Sequence, residues 1–342
     1  MTPRLIGTAG AAIASALTLR AVGRRGARRL LAAPRVTPDE AGLAPALDAL
    51  GGEVVRLRSR DGLRLSGRWL PLEPPDDDWT PDPHEAVLLL HGYSGSVAPD
   101  LVEYGPFLRR TAGFLGLDFR GHGESEEGPT TFGMLEVEDV AGALAWLGER
   151  GITRVSFFGT SMGGIAAIEA VAILGEGSLA AADADDAATR APTDAPRPRI
   201  VAVVAESVPT SVEVPVANRI PSPLRRFVAR RLFAAVARTL GADPRDTEPG
   251  KVVGLVEPVS LLLIHGSADA TVPLEEGRRL TALAGLSAEH WVVEGADHSR
   301  GHAVAGQDYE RRVTDFLRVA FLRARDDDRA RDADLGPPEG GL

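Results

Sequence analysis

The five residues Gly159-Thr160-Ser161-Met162-Gly163 constrain this chain more than any other stretch. They lie between an apolar strand-like run, Val155 to Phe158, and an alanine-rich helix-like run that begins at Ile165. A serine at such a junction is held up on a sharp strand-to-helix turn. The two backbones approach closely around it, so residues without bulky side chains are needed two before and two after the serine. Gly159 and Gly163 supply both. With 38 glycines among 342 residues, roughly 0.2 Gly-x-Ser-x-Gly matches arise by chance, so the surrounding sequence has to carry the reading.

A serine hydroxyl is a poor nucleophile at neutral pH and needs a neutral imidazole within reach to take its proton. Leu261 to Gly266 reads as a buried strand running into Ser267-Ala268-Asp269, which places a carboxylate in the loop beyond it. His290 to Val293 reads as another short strand, followed by Glu294-Gly295-Ala296-Asp297-His298. The chain order is therefore serine, aspartate, histidine. His298 competes with His302 for the role of base. Asp269 competes with Glu206, which ends the strand Ile200 to Ala205, and with Asp297. His91, His122 and His265 sit in motif loops and are expected to shape them by hydrogen bonding; His84 and His290 carry no signal.

From about Val54 to Leu322 the chain resembles the α/β-hydrolase superfamily. His91-Gly92-Tyr93-Ser94-Gly95, after the strand Ala86 to Leu90, resembles its oxyanion loop, and Asp118-Phe119-Arg120-Gly121-His122-Gly123-Glu124-Ser125 resembles its turn after the fourth strand. Within the superfamily the likeness is to bacterial serine esterases and the serine aminopeptidase-like group. It implies an α/β fold with a doubly wound, mostly parallel sheet and an inserted helical cap. It also implies Ser161, Asp269 and His298 as catalytic residues, with the backbone N–H groups of Tyr93 and Met162 forming the oxyanion hole. The expected activity is cleavage of a carboxylic ester through an acyl-enzyme. Thioester or amide cleavage and acyl transfer use the same machinery, and a catalytically silent ligand-binding protein is the alternative from another class. The Tyr93 ring either contacts substrate or only packs.

A net charge of −10 argues against a nucleic-acid partner, and the expected partner is a small acyl ester. Without cysteine there is neither disulfide nor thiolate chemistry. No His-Glu-x-x-His pattern and no glycine-rich phosphate loop occurs, so neither metal nor cofactor is expected. Residues 1–35 carry seven arginines and no acid, and read as a separate basic segment. Within it Leu5 to Leu19 is an uncharged run of 15 residues, short for a bilayer span of roughly 17 to 25. Three readings stand: a signal peptide, a membrane anchor with the catalytic domain on the cytoplasmic side, and a surface-lying or loosely ordered helix. The positive charge that follows the run favours the anchor.

Val54 to Leu57 and Leu63 to Leu70 read as a hairpin joined by a tight Asp61-Gly62 turn. Leu135 to Leu147 has the spacing of a crossover helix. The catalytic domain is expected over residues 45–322, with a flexible Ala/Asp/Pro-rich insertion at about 175–199 and the cap at about 208–258. In the cap, Leu224, Phe227, Val228, Leu232, Phe233, Val236 and Leu240 recur at helical spacing opposite most of the arginines. That stripe is expected to pack on the core or to line an acyl pocket. Tyr309 to Leu322 reads as a closing helix, and 323–342 as a disordered tail.

Overall fold

A computed structural model describes residues 23–93, 95–175 and 197–335. Eight strands form one sheet: β1 (Glu53–Arg58), β2 (Arg64–Leu70), β3 (Glu85–Leu90), β4 (Gly113–Leu117), β5 (Arg154–Thr160), β6 (Arg199–Glu206), β7 (Ser260–Gly266) and β8 (Ala288–Val293). Their order is β1-β2-β4-β3-β5-β6-β7-β8. β1 and β2 are antiparallel, β2 meets β4 antiparallel, and the other pairings are parallel. β3 and β4 are buried at every residue, as parallel strands covered on both faces must be.

The helices are α1 (23–31), α2 (Ala44–Leu50), α3 (Ala98–Leu108), α4 (Glu136–Glu149), α5 (Met162–Leu174), α6 (Glu213–Asn218), α7 (Arg225–Leu240), α8 (Pro249–Val252), α9 (Leu274–Ala284), α10 (Gly301–Ala305) and α11 (Gln307–Leu335). Successive side chains of a strand point to opposite faces, and β3 divides accordingly. Ala86, Leu88 and Leu90 join the core under α4, α5 and α9, whereas Val87 and Leu89 join the core under α2, α3 and α11. The doubly wound α/β-hydrolase fold is therefore present, with α6, α7 and α8 inserted between β6 and β7 as a cap.

Several local expectations need correction. The β1–β2 connection is longer than a two-residue turn, because Ser59 and Leu63 close the loop through a 2.9 Å backbone bond. Asp61 sits in a turn closed by the Gly62 N–H and the Ser59 carbonyl at 2.9 Å, and its carboxylate is held at 2.8 Å by Arg120, which also grips the buried Asp139 at 2.7 Å. The tail is helical as far as Leu335. Several of its charges are paired: Arg325 binds the buried Glu85 at 2.6 Å, and Asp328 binds Arg154 at 2.8 Å and Arg199 at 2.9 Å.

The basic segment is not separate over its described part. Ala27 and Leu31 of α1 pack on Ala235 and Val236 of α7, and Thr130 N–H donates to the Leu31 carbonyl at 2.8 Å. Of the cap stripe, Phe233 and Val236 are buried, but Leu224, Phe227 and Val228 are 64%, 57% and 41% exposed. The stripe outruns the core it was expected to cover. Leu5 to Leu19 and most of the 175–199 insertion lie outside the described residues. No helix among the described residues is long and apolar enough to cross a membrane.

Ending the chain after Leu322 would take Arg325 from Glu85 and Asp328 from two arginines. The expected loss is roughly 1–3 kcal/mol, read as a lower urea midpoint. A tail without fixed partners would leave the midpoint unchanged.

Candidate active site

Ser161 follows β5 and caps α5, with φ 50° and ψ −111°. This left-handed backbone is uncommon for a residue with a side chain. It is imposed by close packing: a Cβ on Gly163 would lie 1.8 Å from the Leu90 carbonyl oxygen, and one on Gly159 2.5 Å from the Gly163 backbone. The Ser161 N–H donates to the Glu206 carbonyl of β6 at 2.8 Å. The hydroxyl thus stands at the carboxyl ends of the central strands.

The loops after β7 and β8 reach the same point. His298 Nδ1 lies 2.8 Å from Asp269 Oδ2, and His298 Nε2 lies 2.9 Å from Ser161 Oγ. An ionised carboxylate only accepts, so Nδ1 carries the proton and Nε2 is left to accept from the hydroxyl. Asp269 Oδ1 takes two backbone N–H bonds, from Thr271 at 2.9 Å and Val272 at 2.8 Å. Burial pushes the Asp269 carboxyl up, but the His298 contact, the Val272 N–H and the Ser207 hydroxyl outweigh it and hold it below its ordinary value. Asp269 is therefore ionised at neutral pH.

The rival residues lie elsewhere. His302 is held between Glu103 and Glu310, each at 3.1 Å. Asp297 Oδ1 accepts the His298 backbone N–H at 2.7 Å. Glu206 is buried and accepts from Gly301 N–H at 2.7 Å and from the Tyr309 hydroxyl at 2.6 Å. It ties α10 and α11 to the end of β6, just beyond the His298 loop. Ser207 works beside it, accepting from Ser299 N–H at 3.0 Å while its hydroxyl helps to hold the Asp269 carboxyl below its ordinary value. Nothing in the sequence near Ser207 marks this part.

The loop after β3 stands against Ser161, since a Cβ on Gly92 would be 3.7 Å from the Ser161 Cβ. His91 fixes its orientation. The ring's Nδ1–H donates to the Gly92 carbonyl at 2.7 Å, and its Nε2 accepts the Phe119 N–H at 3.1 Å. The second bond requires the neutral ring, whose pKa is lowered to about 3 by burial and then by His122. In a trans peptide the C=O and N–H point opposite ways, so a Gly92 carbonyl held by His91 turns the Tyr93 N–H to the other side. The Met162 N–H opens α5 and is among the donors a helix start leaves without an intrahelical partner. The Tyr93 ring packs: it stacks on Phe132 at 5.3 Å, and its hydroxyl donates to the Leu30 carbonyl at 3.1 Å. His265 Nε2–H donates to the Val272 carbonyl at 2.7 Å and so steadies the Asp269 loop. His122 Nδ1–H donates to the Arg120 carbonyl at 2.9 Å.

No cluster suited to a metal ion occurs among the described residues. A groove of about 520 Å³ between α11 and the start of β7, lined by Trp291 and Phe316, shares no residue with this site.

The sequence model of the Alpha/beta hydrolase family matches residues 87–315. The chain belongs to that family. It is 24% identical over 290 residues to the uncharacterized protein YfhR of Escherichia coli (strain K12), covering 83% of this chain and 86% of YfhR. Among solved structures, the Pyrococcus furiosus esterase Pf2001 superposes with a TM-score of 0.59 at 22% identity, covering 84% of this chain and 99% of the esterase. The alpha/beta hydrolase GrgF from Penicillium sp. sh18 superposes with a TM-score of 0.55 at 15% identity, covering 79% and 99%. These likenesses establish a common fold.

Two outcomes follow for this alpha/beta hydrolase. Glu206→Ala orphans two buried donors and is expected to cost on the order of 2–5 kcal/mol in urea unfolding, whereas Glu206→Gln, which keeps acceptor capacity, costs less. The depressed pKa of His91 means that the unfolded chain binds more protons below pH 6.5. Its stability contribution is full above that pH and is lost as pH falls toward about 3, at up to about 1.4 kcal/mol per unit. The fall in unfolding free energy between pH 7 and pH 5 is accordingly expected to shrink in His91→Gln.

Proposed function

We propose that this alpha/beta hydrolase is a serine hydrolase that cleaves a carboxylic ester through an acyl-enzyme. The observation that carries the reading is the unbroken relay from Asp269 through both nitrogens of His298 to the Ser161 hydroxyl, at 2.8 and 2.9 Å. As Ser161 Oγ attacks the ester carbonyl, His298 Nε2 takes its proton. The imidazolium so formed is stabilised by the ionised Asp269, which keeps the ring in the required tautomer. Negative charge gathers on the former carbonyl oxygen, where the N–H groups of Met162 and Tyr93 are the assigned donors, Met162 aided by the helix start. His298 then gives its proton to the departing alkoxide. Water repeats the sequence on the acyl-enzyme, releasing the acid and restoring Ser161. The ester is preferred as substrate because the Pyrococcus furiosus protein that shares the fold is an esterase.

The test is a fluorophosphonate probe together with p-nitrophenyl acetate turnover. Wild-type protein is expected to be labelled at Ser161, and Ser161→Ala to lose labelling and to lower kcat by a factor on the order of 10⁶, as in other enzymes of this type. Asp269→Asn should lower kcat about 10⁴-fold. His91→Gln should lower kcat without moving the acid limb of the pH profile, because His91 is already neutral across that range. Wild-type protein that neither labels nor turns over ester would overturn the proposal.

A further inference from the structure

The outward face of α7 and α1 is not used by the proposed chemistry. α1 carries four arginines and α7 five, with no acidic residue in either, on a chain whose net charge is −10. All nine are exposed. Many arginines elsewhere are matched to carboxylates, as in Arg120 with Asp139 at 2.7 Å, Arg154 with Asp82 at 2.6 Å and Arg245 with Asp243 at 2.6 Å. On this face Arg230 comes no closer than 3.9 Å to Glu213. The other eight have no carboxylate within 4.0 Å among the described residues. The positive charge there is unbalanced by the protein itself.

Exposed apolar side chains lie on the same helix as five of these arginines. Leu224, Phe227 and Val228 are all exposed, and their spacing puts them on one side of a helical turn. The Arg231 guanidinium lies 5.3 Å from the Phe227 ring centroid. The opposite side of α7 is tied down: Val236 packs with Ala27 and Leu31 of α1, and Phe233 meets Phe132 at 5.8 Å. The exposed stripe is thus held outward by a helix fixed on its other side. A phosphate-rich surface would satisfy the arginines, but bare nucleic acid offers nothing to Leu224, Phe227 and Val228. A lipid surface satisfies both, with apolar side chains below the headgroups and arginines at the phosphates.

We propose that the α1–α7 face docks on a bilayer containing anionic phospholipid, with Leu224, Phe227 and Val228 entering the interface and the flanking arginines engaging lipid phosphates. The docked helix stands over Phe132, which stacks on Tyr93, so the membrane lies on the oxyanion-loop side of the site. This docking does not depend on the hydrolytic reading.

The test is co-sedimentation of the full-length chain with vesicles of phosphatidylcholine alone, or with a third of it replaced by phosphatidylglycerol. Wild-type protein is expected to partition at least about tenfold more strongly onto the anionic vesicles, and to lose most of that preference when ionic strength is raised to about 0.5 M. Arg225→Glu with Arg226→Glu should lower partitioning at least about tenfold. Leu224→Ser with Phe227→Ser should lower it severalfold, and both pairs should keep the wild-type thermal midpoint because these side chains face solvent. The proposal fails if partitioning ignores lipid charge, or if both variants bind as wild type, which would put the contact elsewhere on the chain. It also fails if labelled duplex DNA is bound and vesicles are not.

Discussion

The contact between the end of β5, the start of α5 and the Leu90 carbonyl at the end of β3 governs everything built around it. No side chain fits at Gly159 or Gly163, so the chain turns from strand to helix within one residue, and that residue is Ser161. Its left-handed backbone follows from the packing and lifts the hydroxyl clear of the sheet. The same closeness brings Gly92 against Ser161 and sets the Met162 N–H at the head of a helix. One steric condition therefore places a hydroxyl and its neighbouring donors together, while the loops after β7 and β8 have only to bring a carboxylate and a ring.

Two histidines show how environment assigns different work to one side chain. His91 is buried and spans a carbonyl and an N–H, so it is fixed as a neutral strut. His298 is partly open to solvent, with an ionised carboxylate on one nitrogen and a hydroxyl on the other. Its mobility is limited by the next residues, where Ser207 holds Ser299 and Glu206 holds Gly301.

What could be read from the sequence was local chemistry. The glycine pair around Ser161, the unbroken apolar runs of β3 and β7, and the carboxylate and imidazole just past strand ends are all visible within a few residues. The support for them is not, because it joins distant segments. Tyr309 reaches Glu206 across 103 positions, and Arg325 reaches Glu85 across 240. For that reason the residues after Leu322 read as a disordered tail although Arg325 and Asp328 are paired, and Asp61 reads only as a turn former although its carboxylate also binds Arg120. In α7 the periodicity marked a helix correctly, but spacing alone cannot say how much of its apolar side finds a neighbour.

Arg154 has a consequence for the far end of its own strand. It sits at the first position of β5, where its guanidinium is gripped by Asp82, Glu85 and Asp328, and Ser161 follows the last position roughly 20 Å away. A strand pinned at its foot cannot slide along its axis without breaking three ionic contacts at once. The hydroxyl is thereby indexed in depth against the loops that converge on it, and α11, through Asp328, becomes a ruler for the opposite pole of the molecule.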